Sequence, residues 1–187
     1  MASLLIHACC APCATFTVDH WREHRHQVSG YWFNPNIHPS IEHQLRLQTL
    51  IDWAQHWELP LLVSPSYGFE EYFRAVAGHE AKDERCQYCY RLRLHDAASL
   101  AKEKGFDAFS TTLLISPYQN HEVLRRIGEE LQGEVGIRFL YEDLRPGFGK
   151  SRTIAKEMNL YRQKYCGCLY SEAERFYGGP GQGRKRP

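Results

Sequence analysis

Five short apolar runs, each followed by a stretch long enough for a helix, leave this chain few folds to adopt. The runs are residues 3–9, 27–33, 59–63, 106–114 and 137–140. The first is continuously apolar apart from His7, which suits a strand buried on both faces. Between the runs, residues 14–24, 40–57, 67–76, 85–104 and 121–131 have the length and spacing of helices; Ile41, Leu45, Leu50, Ile51 and Ala54 are one such apolar face. Pro39-Ser40 opens the second helix, and Gly105 closes the fourth behind Lys102 and Lys104. The alternation predicts an α/β fold, an open parallel sheet of about five strands with right-handed crossovers and helices on both faces.

After Leu140 the pattern changes to Arg145-Pro146-Gly147-Phe148-Gly149, a short helix at 151–158 and a last helix that a capping box from Ser171 to Glu174 opens. This is a helical C-terminal extension. Residues 1–177 therefore read as one domain and 178–187, with Arg184-Lys185-Arg186, as a flexible basic tail whose removal should weaken binding to RNA. No run reaches the roughly 18 apolar residues of a membrane span, and the start lacks a secretory pattern. The expectation is a cytoplasmic chain without a membrane partner, acting as a monomer. A formal charge of +1 argues against general coating of nucleic acid but permits a local basic face, for which Lys150 with Arg152 is a candidate.

All seven cysteines fall in three groups: Cys9, Cys10 and Cys13; Cys86 and Cys89; Cys166 and Cys168. In a reducing compartment this pattern indicates metal binding or catalysis before a disulfide framework. The first group stands at a strand-to-helix turn, the edge of an α/β sheet where ligands bind and where a helix N-terminus favours thiolate. Cys86 and Cys89, three apart, share a helix face. A structural zinc or a cubane cluster takes four ligands, so seven converging thiols imply two metal entities or a reactive residue. A lone cysteine is commonly a small buried hydrophobe, but that does not explain thiols in turn-like sequence. His7, in mid-strand, reads as a hydrogen-bonded core residue rather than a ligand.

Five segments in order carry a resemblance: His7-x-Cys9-Cys10-Ala11-Pro12-Cys13; Tyr31-x-Phe33-Asn34-Pro35-Asn36-Ile37-His38-Pro39; Arg85-Cys86-x-x-Cys89-Tyr90-x-x-Arg93-Leu94; the stretch from Thr111 to Tyr118; and Tyr161-Arg162-Gln163-x-Tyr165-Cys166-Gly167-Cys168. Together they resemble the QueH family of cobalamin-independent epoxyqueuosine reductases. The resemblance implies a Rossmann-like fold of the nucleotide-α-hydrolase (HUP-like) group, with a [4Fe–4S] cluster beside a mononuclear iron. It implies reduction of epoxyqueuosine to queuosine at the wobble position of tRNA, the last step of queuosine synthesis. Some members carry an aspartate ligand where this chain has Cys13.

The chemistry agrees with that reading. Converting an epoxide to an alkene takes two electrons and removes oxygen as water; a cluster passes single electrons, and an iron with an open position can act on the oxygen as a Lewis acid. The expected division gives Cys10, Cys86, Cys89 and Cys168 to the cluster and Cys9, Cys13 and Cys166 to the iron. Tyr118 and Asp83 are candidate proton donors. Trp32, Phe33, Lys150 and Arg152 are candidates for holding the tRNA, the rings by stacking and the cations by phosphate contact. The electron donor is not identified. Three other classes compete: a structural zinc module that binds RNA or protein, a thiol–disulfide oxidoreductase built on Cys86 and Cys89, and an adenylating enzyme of similar fold. The last needs a glycine-rich phosphate loop where the first cysteines stand.

Overall fold

A computed structural model describes residues 2–178, so all but the first residue of the basic tail at 178–187 lies outside the described residues. The strands are β1 (Ser3–His7), β2 (Gln27–Trp32), β3 (Leu61–Val63), β4 (Ala108–Thr111) and β5 (Arg138–Phe139). The helices are α1 (Ala11–Glu23), α2 (Ser40–His56), α3 (Phe69–Val76), α4 (Lys82–Glu103), α5 (His121–Leu131), α6 (Phe148–Glu157) and α7 (Leu169–Phe176). All strands run parallel in the order β3-β2-β1-β4-β5. This is the Rossmann-like α/β sheet that the alternation predicts.

β1 lies at the centre, and its Leu4, Leu5 and Ile6 are fully buried because helices cover both faces. On one face Leu5, Phe109 and Phe139 pack against Leu94, Ala98 and Ala101 of α4 and Leu124 and Ile127 of α5. On the other, Leu4, Ile6 and Val28 pack against Ala14, Val18 and Trp21 of α1 and Leu50 and Trp53 of α2. α6 of the C-terminal extension packs on α1 of the second face, while α7 is tied to α4. Ser151 Oγ in α6 donates to Pro12 O at the start of α1 at 2.7 Å, and Gly147 lets the chain pass the Phe16 ring, where a Cβ would lie 2.2 Å from it. No described helix is long and apolar enough to cross a membrane.

Several boundaries differ from the sequence expectation, each for a local reason. The first run pairs only as far as His7, because Cys9 turns its N–H to the Thr112 hydroxyl at 3.0 Å. The fourth ends at Thr111, whose side chain accepts from the Leu113 N–H and starts a 3-10 turn, Thr112–Ile115. α1 begins at Ala11 rather than residue 14, with Pro12 in its first turn, where the missing N–H costs nothing. α4 begins at Lys82, so Cys86 and Cys89 sit in its second turn. The capping box at Ser171 does not form: Cys168 caps α7, its sulfur accepting from the Ser171 N–H at 3.3 Å, and Glu174 is drawn away by Arg85.

Candidate metal centre

Sheet order puts β1 beside β4 at the point where the chain's progress across the sheet reverses. Ligands of open α/β sheets bind outside the strand ends at such a point. His7 lies opposite both Tyr31 and Thr111 at these ends. It is fully buried, with Nδ1 2.9 Å from Thr111 Oγ1 and Nε2 3.2 Å from Phe33 O. Burial and the charge of Arg93 hold it down to about 3, so it is a neutral structural residue.

Directly after β1, the sulfurs of Cys9, Cys10 and Cys13 all lie within 4.8 Å of one another. Cys10, the N-cap of α1, turns its sulfur 3.8 Å from that of Cys9. Cys10 thus converges with Cys9 and Cys13, residues that the sequence expectation assigns to a different centre from it. Cys89 and Cys168 pack together with Tyr72 and Val76. Cys86 is close enough to feel the charges of Cys166 and Cys168, and Cys166 those of Cys168 and Cys9. The structure thus holds a compact N-terminal set of three and a looser set of four.

The loop carrying Cys166 and Cys168 comes from the far end of the chain and is clamped by backbone acceptors. Arg46 of α2, 2% exposed, donates to Cys166 O at 2.9 Å and Tyr165 O at 3.2 Å, while Glu42 takes its Nε–H at 2.7 Å and the Tyr161 hydroxyl at 2.6 Å. Tyr165 OH donates to His38 O at 2.5 Å, and Gly167 O accepts from His38 N at 2.8 Å. At the other side, Arg85 makes a two-pronged ion pair with Glu174 of α7 at 2.6 and 2.7 Å.

Five of the seven sulfurs have a hydrogen-bond donor beside them, a contact that favours thiolate, while burial opposes it. Thr112 Oγ1 donates to Cys9 at 3.2 Å, Gln163 Nε2 to Cys10 at 3.0 Å, Arg93 Nη1 to Cys89 at 3.8 Å, Gln119 Nε2 to Cys166 at 3.8 Å and the Ser171 N–H to Cys168. Hydrogen bonds from Cys10 and Cys13, helped by Arg93 and Thr112, hold Cys9 well below the usual thiol range. Its neighbours then keep their protons. Cys13 rises through its bonds to Cys10 and Cys9, and Cys10 is pushed up to about 12: a bond with Cys13 opposes the rise, but Cys9 and burial outweigh it. Burial pushes Cys86 up to about 11 and Cys89 to about 12. A metal ion that displaces these protons is the partner such a donor set fits.

Beside the four-cysteine set a cleft of about 290 Å³ is lined by Asp83, Cys86, Gln87, Tyr118, Gln119 and Asn120, among others, so both sequence candidates for proton donation border one space. Tyr118 is 76% exposed, and its ring meets Phe148 edge-on at 6.0 Å. Lys150 and Arg152 are exposed and lie over the Phe16 and Phe148 rings at 5.7 and 5.8 Å. Trp32 and Phe33 must be corrected. They are 1% and 3% exposed, packed in the core, with the Trp32 N–H donated to His43 at 3.2 Å, so neither ring offers a face to a base. Sequence reasoning gave no role to Arg46, Arg93, Gln119 or Gln163. For Arg93 the available signal was its position one helical turn after Cys89.

The family model described as "Epoxyqueuosine reductase QueH" matches residues 4–174. A protein of that name from Dehalococcoides mccartyi is 44% identical over 173 residues, 92% of this chain and 94% of that one. Another from Thermotoga maritima is 33% identical over 183 residues, 94% of this chain and 93% of its own. Among solved structures, a predicted tRNA methyltransferase subunit from Methanocaldococcus jannaschii superposes with a TM-score of 0.57 at 11% identity, covering 84% of this chain and 75% of that one, a likeness of fold.

Proposed function

Because the chain belongs to the epoxyqueuosine reductase QueH family, an oxidoreductase family, we propose that it reduces epoxyqueuosine to queuosine in tRNA, using a [4Fe–4S] cluster and a mononuclear iron. The observation that carries the cofactor reading is the convergence of the Cys9, Cys10 and Cys13 sulfurs within 4.8 Å of one another. Cys9, Cys10 and Cys13, already converged, would hold the lone iron, and Cys86, Cys89, Cys166 and Cys168 the cluster. This division replaces the one drawn from sequence, which placed Cys10 with the cluster and Cys166 on the iron. When bound, the two centres supply single electrons and Lewis acidity.

The reaction removes the epoxide oxygen as water and leaves an alkene, consuming two electrons and two protons. The chain's own part is to orient the base and bring the protons. Asp83 and Tyr118 border the cleft beside Cys86 and can deliver them. Gln119, which accepts from Tyr90 OH at 2.7 Å and donates to Cys166, fixes the cleft's inner wall. For the anticodon loop, the exposed ring of Tyr118 with Phe148 offers a stacking surface, and Lys150 and Arg152 beside it hold phosphates.

Protein purified without oxygen tests the reading: brown colour, iron and sulfide, and conversion of epoxyqueuosine in tRNA by a chemical reductant are expected. A colourless chain with about one zinc, the expectation for a structural module, sinks it. Iron counting tests the division. Cys10→Ala should lose one iron and keep the cluster absorption; loss of the cluster restores the earlier partition.

A further inference from the structure

Three arginines are buried among the described residues, and two have carboxylate partners: Arg46 with Glu42, and Arg85 with Glu174. The third, Arg93, is 2% exposed and has none. Its Nη2 donates to Asn34 Oδ1 at 2.6 Å, its Nη1 to Cys89 Sγ at 3.8 Å, and its Nε faces His7 Nε2 at 3.4 Å. A guanidinium withdrawn from water needs an anion nearby, because neutral partners do not offset the lost hydration. Burial works against its charge, and the groups working for it are the sulfurs of Cys89, Cys9 and Cys166, one from each cysteine group. Arg93 therefore touches one sulfur, that of Cys89, and lies within electrostatic reach of Cys9 and Cys166, so that thiolates at these positions would match its charge.

We propose that Arg93 is the positive counter-charge shared by the two sulfur sets, and that it holds the reduction potential of the bound centre up so that electrons can enter it. This rests on the iron–sulfur reading above. Net charge and hydrogen bonds to sulfur are the means by which a protein sets such a potential. A fixed cation favours the reduced, more negative form, and its burial keeps the effect from being screened by solvent. The residue is thus a positioning and tuning residue, acting through the sulfurs rather than on substrate.

The test is a potentiometric titration, followed by absorbance and electron paramagnetic resonance, of the anaerobically purified holoenzyme with Arg93→Met and Arg93→Lys. Methionine keeps much of the volume without charge; lysine keeps the charge without the fork. At the wild-type midpoint the methionine chain should show a reduced-to-oxidised ratio about tenfold lower, equal to a shift of about 59 mV for a one-electron couple. The lysine chain should stay within a few-fold. A methionine chain that loads iron and titrates with the wild-type midpoint overturns the proposal. Should the methionine chain take up no iron, Arg93→Lys and Arg93→Gln decide: iron in the lysine chain alone supports the counter-charge, and equal loading, or none in either, overturns it. A wild-type chain that binds zinc and no iron fails at an earlier point, overturning the iron–sulfur reading and this inference with it.

Discussion

Gly167 shows how little room the site leaves a single residue. Its φ is +145°, and an added Cβ would meet Asn36 Nδ2 and Ile37 Cγ1 at 3.0 Å and Arg46 Nη1 at 3.4 Å. Gly167→Ala should cost about 1–3 kcal/mol, the range for a side chain forced into a disfavoured backbone region. It should also lower iron per chain; urea unfolding with wild-type midpoint and unchanged iron would refute this. His43 makes a second prediction. It accepts the Trp32 N–H and is lowered to about 4 by burial and by Arg46. A histidine with a depressed folded-state pKa gives stability that is complete above its unfolded value, near 6.5, and lost as pH falls toward 4. Melting temperature should therefore drop between pH 7 and 5, and drop less in His43→Gln, whose amide oxygen accepts the same bond without titrating. The seven thiols and the buried role of His7 could be read from the sequence. Arg93 carried one hint, its place a helical turn after Cys89, and Arg46 none, since an arginine in a polar helical pattern looks like a solvated one until the fold places it inside.

At the scale of elements, the order of strands and helices was legible because the apolar periodicities are strong; α5 spans the very residues, His121–Leu131, that its pattern delimits. Ends were less so, because they are set by side chains from distant parts of the chain. Thr112 turns the Cys9 backbone out of β1, and Arg85 takes Glu174 away from a capping box. The second interaction has a measurable weight. Glu174 is partly exposed while the Arg85 side chain is only 4% so, and Glu174→Ala leaves a buried cation without its partner. A loss of roughly 1–3 kcal/mol is expected, less than for a fully buried pair. Because α7 follows directly on Cys168, iron retention during gel filtration should fall with it; a chain that keeps both its stability and its iron removes the strap role of this pair.

For the molecule as a whole, the basic-aromatic surface at Phe16, Tyr118, Phe148, Lys150 and Arg152 lies beside the cleft, while the net charge is only +1. Binding to an anticodon stem-loop should accordingly be weakly salt-dependent overall. If each cation holds one phosphate of a single strand, replacing Lys150 and Arg152 by alanine should reduce the log–log salt slope by about 1.4. An unchanged slope in fluorescence anisotropy sends the RNA elsewhere.

The seven cysteines belong to the turn after β1 and the first turn of α1, to α4, and to the turn before α7. A ribosome releases the first three thiols long before the final pair, so no nascent intermediate that stops short of Cys166 owns a full set. Domains fold as units during synthesis, and the thiols are united only in a unit that runs from β1 to the start of α7. A carrier donating the proposed cluster would have to wait until Cys168 has been made. The loop at Cys166, the one exposed cysteine, is then the door through which maturation would occur.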